Sequence, residues 1–172
     1  MKDDFIKPIA ILTIICLVVS GALSLTNGVT APIINAAAAE RARIAMEAII
    51  PHATGFQQVE NDAFPRAVRE AYKSENDVGF VFIVSVSGFS GDIRVICGID
   101  PDGKVISSKT LSHTETKGIG CILDEERWTV PFDGKDSQLE GISAVTGATI
   151  STVAYMNAIR EAFVAFDLIR GV

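Results

Sequence analysis

Phe80-Val81-Phe82-Ile83-Val84-Ser85-Val86 is the stretch that decides how this chain folds. In an extended backbone Phe80, Phe82, Val84 and Val86 fall on one face, and Val81 and Ile83 on the other. Apolar residues on both faces at its start predict a strand inside a sheet that is covered on both sides. Before it, Val68, Glu70 and Tyr72 alternate with their neighbours and run into Ser74-Glu75-Asn76-Asp77, a turn-forming cluster. After it, Gly88 to Gly91 makes a connection, and Ile93, Val95, Cys97 and Ile99 share a face with Arg94 opposite. Asp100-Pro101-Asp102-Gly103 reads as a type I turn with proline preset at its second position. Val105 to Leu111 then completes an antiparallel meander of three or four strands.

Helical patterns flank this sheet. From Ile150 to about Arg170, Ile159, Phe163, Phe166 and Ile169 form an apolar stripe that predicts a helix packed on the sheet. Residues 33–50 are rich in helix formers and end near Pro51; Asn27-Gly28 predicts a break before them, with Pro32 starting this second helix. Residues 52–65 show no period and read as loop with at most a turn of helix. Residues 112–135 read as a long polar loop with one short helix around Ile122 to Trp128. The class is α+β.

The front of the chain is different. Ile9 to Leu25 is 17 residues without a charge, and Ile6 to Leu25 is 20 with Lys7 and Pro8 at the edge. At about 1.5 Å per helical residue the longer version spans the roughly 30 Å of a hydrocarbon core. An uncleaved anchor in the lipid bilayer through residues 6–25 is favoured over a cleaved signal, because the apolar run exceeds the usual ~7–15-residue signal core. Lys2 and Lys7 lie closer to the run than Arg41 and Arg43 do, which places the N-terminus in the cytoplasm and the rest of the chain outside. The expected organisation is an anchor at 1–30, a connecting helix at 31–51 and a folded domain at 52–172.

Composition excludes several function classes. The formal charge is −6, and no basic run exists, so a nucleic-acid backbone is a poor partner. Of the three cysteines Cys16 falls in the apolar segment; Cys97 and Cys121 match no zinc spacing, and there are only two histidines, His52 and His113. Cys97 reads as a small core residue and Cys121 as exposed. No metal site is expected.

Two stretches carry chemistry. In Ala144-Val145-Thr146-Gly147-Ala148-Thr149, opening into the last helix, Gly147 allows a tight turn and close backbone approach. Thr146, Ser151 and Thr152 add hydroxyls, and the N–H groups of the first helical turn point at whatever precedes it. That describes an anion-binding turn with an exposed Thr149. It equally describes a threonine N-cap. The second stretch, His113-Thr114-Glu115-Thr116-Lys117-Gly118-Ile119-Gly120, leaves the end of the last meander strand. His113 and Glu115 can hydrogen-bond or titrate, and Gly118 and Gly120 leave room for a flat ring; a solvated loop with turn glycines reads the same way. No nucleophile–base–acid set can be assembled, so no catalytic residue is assigned.

The ordered set of an N-terminal anchor, Gly-Phe-Ser-Gly-Asp-Ile (88–93), Gly-Ile-Asp-Pro-Asp-Gly (98–103), His-Thr-Glu-Thr-Lys-Gly-Ile-Gly (113–120) and Thr-Gly-Ala-Thr (146–149) resembles the FMN-binding domain family. More narrowly, it looks like the G subunits of Rnf-type ion-translocating ferredoxin:NAD⁺ oxidoreductases. The resemblance implies FMN joined by a flavin transferase through a phosphoester to Thr149. It implies a cofactor pocket built from Thr146, Gly147, Ala148, Ser151, His113, Glu115, Thr116, Gly118 and Gly120. It also implies an electron-carrying subunit whose partners are other membrane subunits of a complex moving Na⁺ or H⁺. The chain departs from the family at Ser143, where an aspartate is usual, and at Lys117, where proline is usual. The alternatives are an anchored flavoprotein serving another redox chain, or a non-redox structural or binding module.

Overall fold

A computed structural model describes residues 2–115 and 120–171, with side chains described for all of these except 2–8, 10, 35, 38 and 39. The chain forms two compact units, 1–41 and 42–172. Helix α1 (Lys2–Ile49) contributes to both.

In the first unit, Ile11–Ile34 is a helix long and apolar enough to cross a membrane. Its 24 residues reach about 36 Å at 1.5 Å each. The break expected at Asn27-Gly28 does not occur, and Pro32 lies inside α1 instead of opening a second helix. The hydroxyls of Thr26 and Thr30 are taken up within the helix, donating to Ala22 O and Thr26 O at 2.9 and 2.6 Å. In an apolar setting a helix keeps its backbone groups paired, so Gly and Pro are tolerated there.

The second unit is built on a five-stranded antiparallel sheet in the order β1-β2-β3-β4-β5. The strands are β1 (Phe56–Gln58), β2 (Val68–Ser74), β3 (Phe80–Ser87), β4 (Asp92–Ile99) and β5 (Val105–His113). Strand β3 is central, pairing Val84 with Val95 on one side and with Val68 on the other. Both its faces are buried, as the Phe80–Val86 pattern predicts. Phe82 and Val84 join Ile93, Val95 and Cys97 under α3 (Thr149–Arg170), where Ile159, Phe163 and Phe166 face inward. Val81, Ile83 and Ile96 join Ala42, Met46, Ile49 and Ile50 on the opposite face. The last turns of α1 therefore cover the second face, and the compact unit includes residues 42–51. At Gly98 the approach is so close that an added Cβ would collide with Ile49 Cγ2.

Strand β1 corrects the loop expected at 52–65. It is three residues long, and two of them are exposed glutamines, too few to show a period. The 112–135 segment is also less polar than expected. After β5 it forms a 3₁₀ turn (Gly120–Asp124), a short helix α2 (Glu126–Thr129) and a second 3₁₀ turn (Val130–Phe132). Leu123, Trp128 and Phe132 are buried. The rings of Trp128, Phe132 and Tyr155 meet at 5.3–6.0 Å, and the Tyr155 hydroxyl donates to Ser108 Oγ at 2.9 Å. Helix α3 ends at Gly171, whose left-handed backbone (φ 75°) returns its N–H to Asp167 O.

Candidate functional site

The site lies where α3 begins, and the turn before it is set by backbone needs. Gly147 takes φ 88°, a conformation in which a side chain is strained, and nothing lies within 4 Å of where its Cβ would be. Ala148 is the N-cap residue and supplies no side-chain cap. Buried Thr152 does the fastening instead. Its hydroxyl donates to Ala148 O at 2.9 Å and accepts from Val145 N–H at 3.2 Å, while its own N–H closes the first turn onto Ala148 O. Thr149, the first helical residue, is exposed. Its Oγ lies 3.4 Å from Val145 O, long for a hydroxyl hydrogen bond.

Beside this turn opens a cavity of about 270 Å³ lined by Phe89, Glu115, Gly147, Ala148, Thr149, Ile150 and Ser151. Phe89 is 68% exposed and Ile150 56%, so its mouth is apolar. Thr149 and Ile150 also border a groove with Val86, Val153 and Asn157, and Thr146, Gly147 and Ala148 border a third with Ile122 and Arg127. Thr149 thus stands on a crest between the cavity and one groove.

Glu115 forms the polar floor and is 8% exposed. Its Oε1 accepts from the N–H groups of Phe89 and Ser90 at 2.8 and 3.1 Å, and its Oε2 accepts from Ser151 Oγ at 2.7 Å. Burial pushes its carboxyl pKa up, but the Ser151 hydroxyl, the two backbone N–H groups and the neighbouring His113 together bring it below the ordinary value.

The residues predicted from the sequence are thus divided. Glu115, Gly147, Ala148, Thr149 and Ser151 line one cavity. Thr146 lines the neighbouring groove. His113 is not part of the cavity lining: its Nδ1 accepts from Glu115 N–H at 3.1 Å and its Nε2 is 3.0 Å from Asp124 Oδ2, so it braces the loop. Gly120 acts by proximity, since a Cβ there would collide with the Glu115 side chain. Thr116 and Gly118 lie outside the described residues. The sequence reading missed Phe89 as a wall of the site, although it stands in the quoted Gly-Phe-Ser-Gly motif. Its signal was a large apolar residue in a glycine-flanked turn.

Comparison with known proteins bears on what fills such a cavity. Residues 88–164 match the model of the FMN-binding domain. These residues belong to the FMN-binding domain family. The matched span runs from the Gly88 turn through Glu115 to α3, so the cavity residues all fall inside it. Over 161 residues the chain is 26% identical to the G subunit of the proton-translocating ferredoxin:NAD⁺ oxidoreductase complex of Clostridium ljungdahlii, covering 88% of this chain and 85% of that protein. It is 28% identical to the G subunit of the ion-translocating oxidoreductase complex of Methanosarcina acetivorans, with 94% of each covered. The corresponding protein of Shewanella piezotolerans is 34% identical over 98 residues, only 46% of its length.

The residues present suit FMN. The apolar walls of Phe89 and Ile150 fit a flat heteroaromatic ring, and Gly147 lets the backbone come close. The N–H groups of the first α3 turn offer donors to a phosphate. At about 270 Å³ the cavity is at or below the ~300–1,000 Å³ of sites that enclose a drug-sized ligand, so part of the cofactor would lie over the adjoining groove.

Proposed function

We propose that this chain is an electron-transfer subunit of a membrane-bound, ion-translocating (Na⁺ or H⁺) ferredoxin:NAD⁺ oxidoreductase complex, carrying FMN as a phosphoester on Thr149. What carries the reading is the Thr149 hydroxyl. It is exposed at the head of α3, borders the cavity, and takes no part in capping, a task left to Thr152. In the attachment, Thr149 Oγ bonds to the flavin phosphorus while the hydroxyl proton and one phosphate substituent leave; the chain gains FMN less one water. A flavin transferase performs this step. Thr149 would fix the phosphate end, the first α3 turn would face it with N–H groups, and Phe89 and Ile150 would shield the ring. Once bound, the flavin supplies reversible electron uptake, and the protein supplies position and electrostatics.

The similarity to subunits of oxidoreductase complexes over 85–94% of their length supports the assignment to such a complex. The other membrane subunits are then its partners. Residues 1–30 are the anchor and 31–51 the connecting segment of the same helix, whose last turns from Ala42 pack into the compact unit that carries the flavin domain 52–172, with Lys2 and Lys7 on the cytoplasmic side and the flavin outside.

The test is the intact mass of the chain produced together with a flavin transferase. One FMN less one water is expected on the peptide containing Thr149, and none in Thr149→Val. An adduct that persists in the variant removes Thr149 from its role; a wild-type chain without protein-bound flavin after denaturation removes the whole reading.

A further inference from the structure

Three separate parts of the chain converge on one carboxylate. The 88–91 turn gives Glu115 two backbone N–H groups, the first turn of α3 gives it the Ser151 hydroxyl, and its own loop holds it through His113. Two glycines leave room for it. A Cβ on Gly88 would collide with Glu115 Oε1, and one on Gly120 with the Glu115 Cβ. Backbone N–H groups can only donate, so they call for an acceptor on that side. The positive end of α3 favours negative charge at the same place. Among the described residues that line the cavity, Glu115 is the sole ionisable one.

We propose that Glu115 is a positioning and tuning residue of the flavin site: its carboxylate clasps the 88–91 turn to the head of α3 and sets a fixed negative charge against the cavity, making the bound flavin harder to reduce. The proposal rests on the reading that FMN is carried at Thr149. Reduction adds electrons to the ring, and a buried charge of the same sign opposes that addition with little screening by solvent. The clasp and the charge are separable. In Glu115→Gln the amide oxygen still accepts from Phe89 and Ser90, and the amide nitrogen donates to Ser151 Oγ, whose hydroxyl rotates to accept. Glu115→Ala loses both.

The experiment uses the full chain loaded with FMN by a flavin transferase, with reductive titration of wild type and Glu115→Gln. A more positive midpoint potential in the flavin-loaded fraction of Glu115→Gln is expected. Equal potentials in two fully loaded proteins would overturn the tuning role. The clasp is read without flavin, in the Thr149→Val background, where Glu115→Ala is expected to lower the melting temperature and Glu115→Gln to restore most of it. An unchanged melting temperature in Glu115→Ala would overturn the clasp. A wild-type chain that takes up no flavin removes the cofactor reading and the tuning role together, and the clasp measurement still reports on Glu115 alone.

Discussion

Gly98→Ala tests whether the end of α1 is part of the folded unit. In the structure the new methyl would collide with Ile49 Cγ2, with Ile50 Cγ1 at 3.4 Å and Ile106 Cβ at 3.6 Å around it. Ile49 is fully buried and cannot swing into solvent. Overpacking of this kind costs about 1–3 kcal/mol. Replacing glycine inside a strand returns roughly 0.5–1 kcal/mol through the unfolded chain. The net expectation is a loss of about 1 kcal/mol, within a range of roughly 0–2.5, or some degrees in melting temperature for a domain of this size at about 4 °C per kcal/mol. The assay is thermal unfolding of the full chain in detergent, followed by the fluorescence of Trp128, the single tryptophan and a buried one. Ile49→Ala alone should cost more, about 2–5 kcal/mol, by leaving a cavity. Combined, the two changes should cost less than their sum, because the added methyl enters the space Ile49 vacates. If Gly98→Ala is as stable as wild type and the pair is additive, residues 42–50 do not pack on this face of the sheet.

Two further outcomes follow from the α3 head and its neighbour. Thr152→Val keeps the shape of a buried side chain but removes the acceptor of the part-buried Val145 N–H; about 0.5–1.5 kcal/mol should be lost in urea unfolding, with slower flavin attachment at Thr149. Glu115 has a folded-state pKa below its ordinary value of 4.5, so its contribution to stability is complete above that value and lost as pH falls through the folded one. Melting temperature should therefore drop on acidification below about pH 4.5, and Glu115→Gln should flatten that drop.

How much of this was legible in the sequence depended on the range of the contacts. The two-sided pattern of Val81 and Ile83 against Phe82 and Val84 announces a central strand, because both periods are written in one short segment. The cover on the second face was not legible. Residues 33–50 read as a helix, but what it packs against is marked by missing side chains far along the chain, at Gly79 and Gly98. The head of α3 was legible as a turn, since Thr146 to Thr149 are contiguous. Which hydroxyl does what was not: Thr152 fastens the turn and Ser151 is taken by Glu115, leaving Thr149 exposed. The clasp joins residues 25, 26 and 36 positions apart, and no local pattern records such distances.

The geometry of the site also bears on why a tether suits it. A cavity of about 270 Å³ encloses only part of a cofactor the size of FMN. No lysine or arginine is found among the described residues lining it, so the charge of a phosphate meets N–H dipoles and no full cation there. Glu115 stands beside the head of α3, held there by the Ser151 hydroxyl, and its negative charge opposes a second anion nearby. Each of these features weakens reversible binding of a flavin nucleotide, and a domain outside the cytoplasm would lose a weakly held cofactor to dilution. The proposed bond to Thr149 would replace affinity with connectivity, and the ring would then sample the cavity at a high effective concentration. On this reading the shallow, uncharged-to-acidic site and the exposed threonine have one physical cause, and free FMN should bind Thr149→Val only feebly.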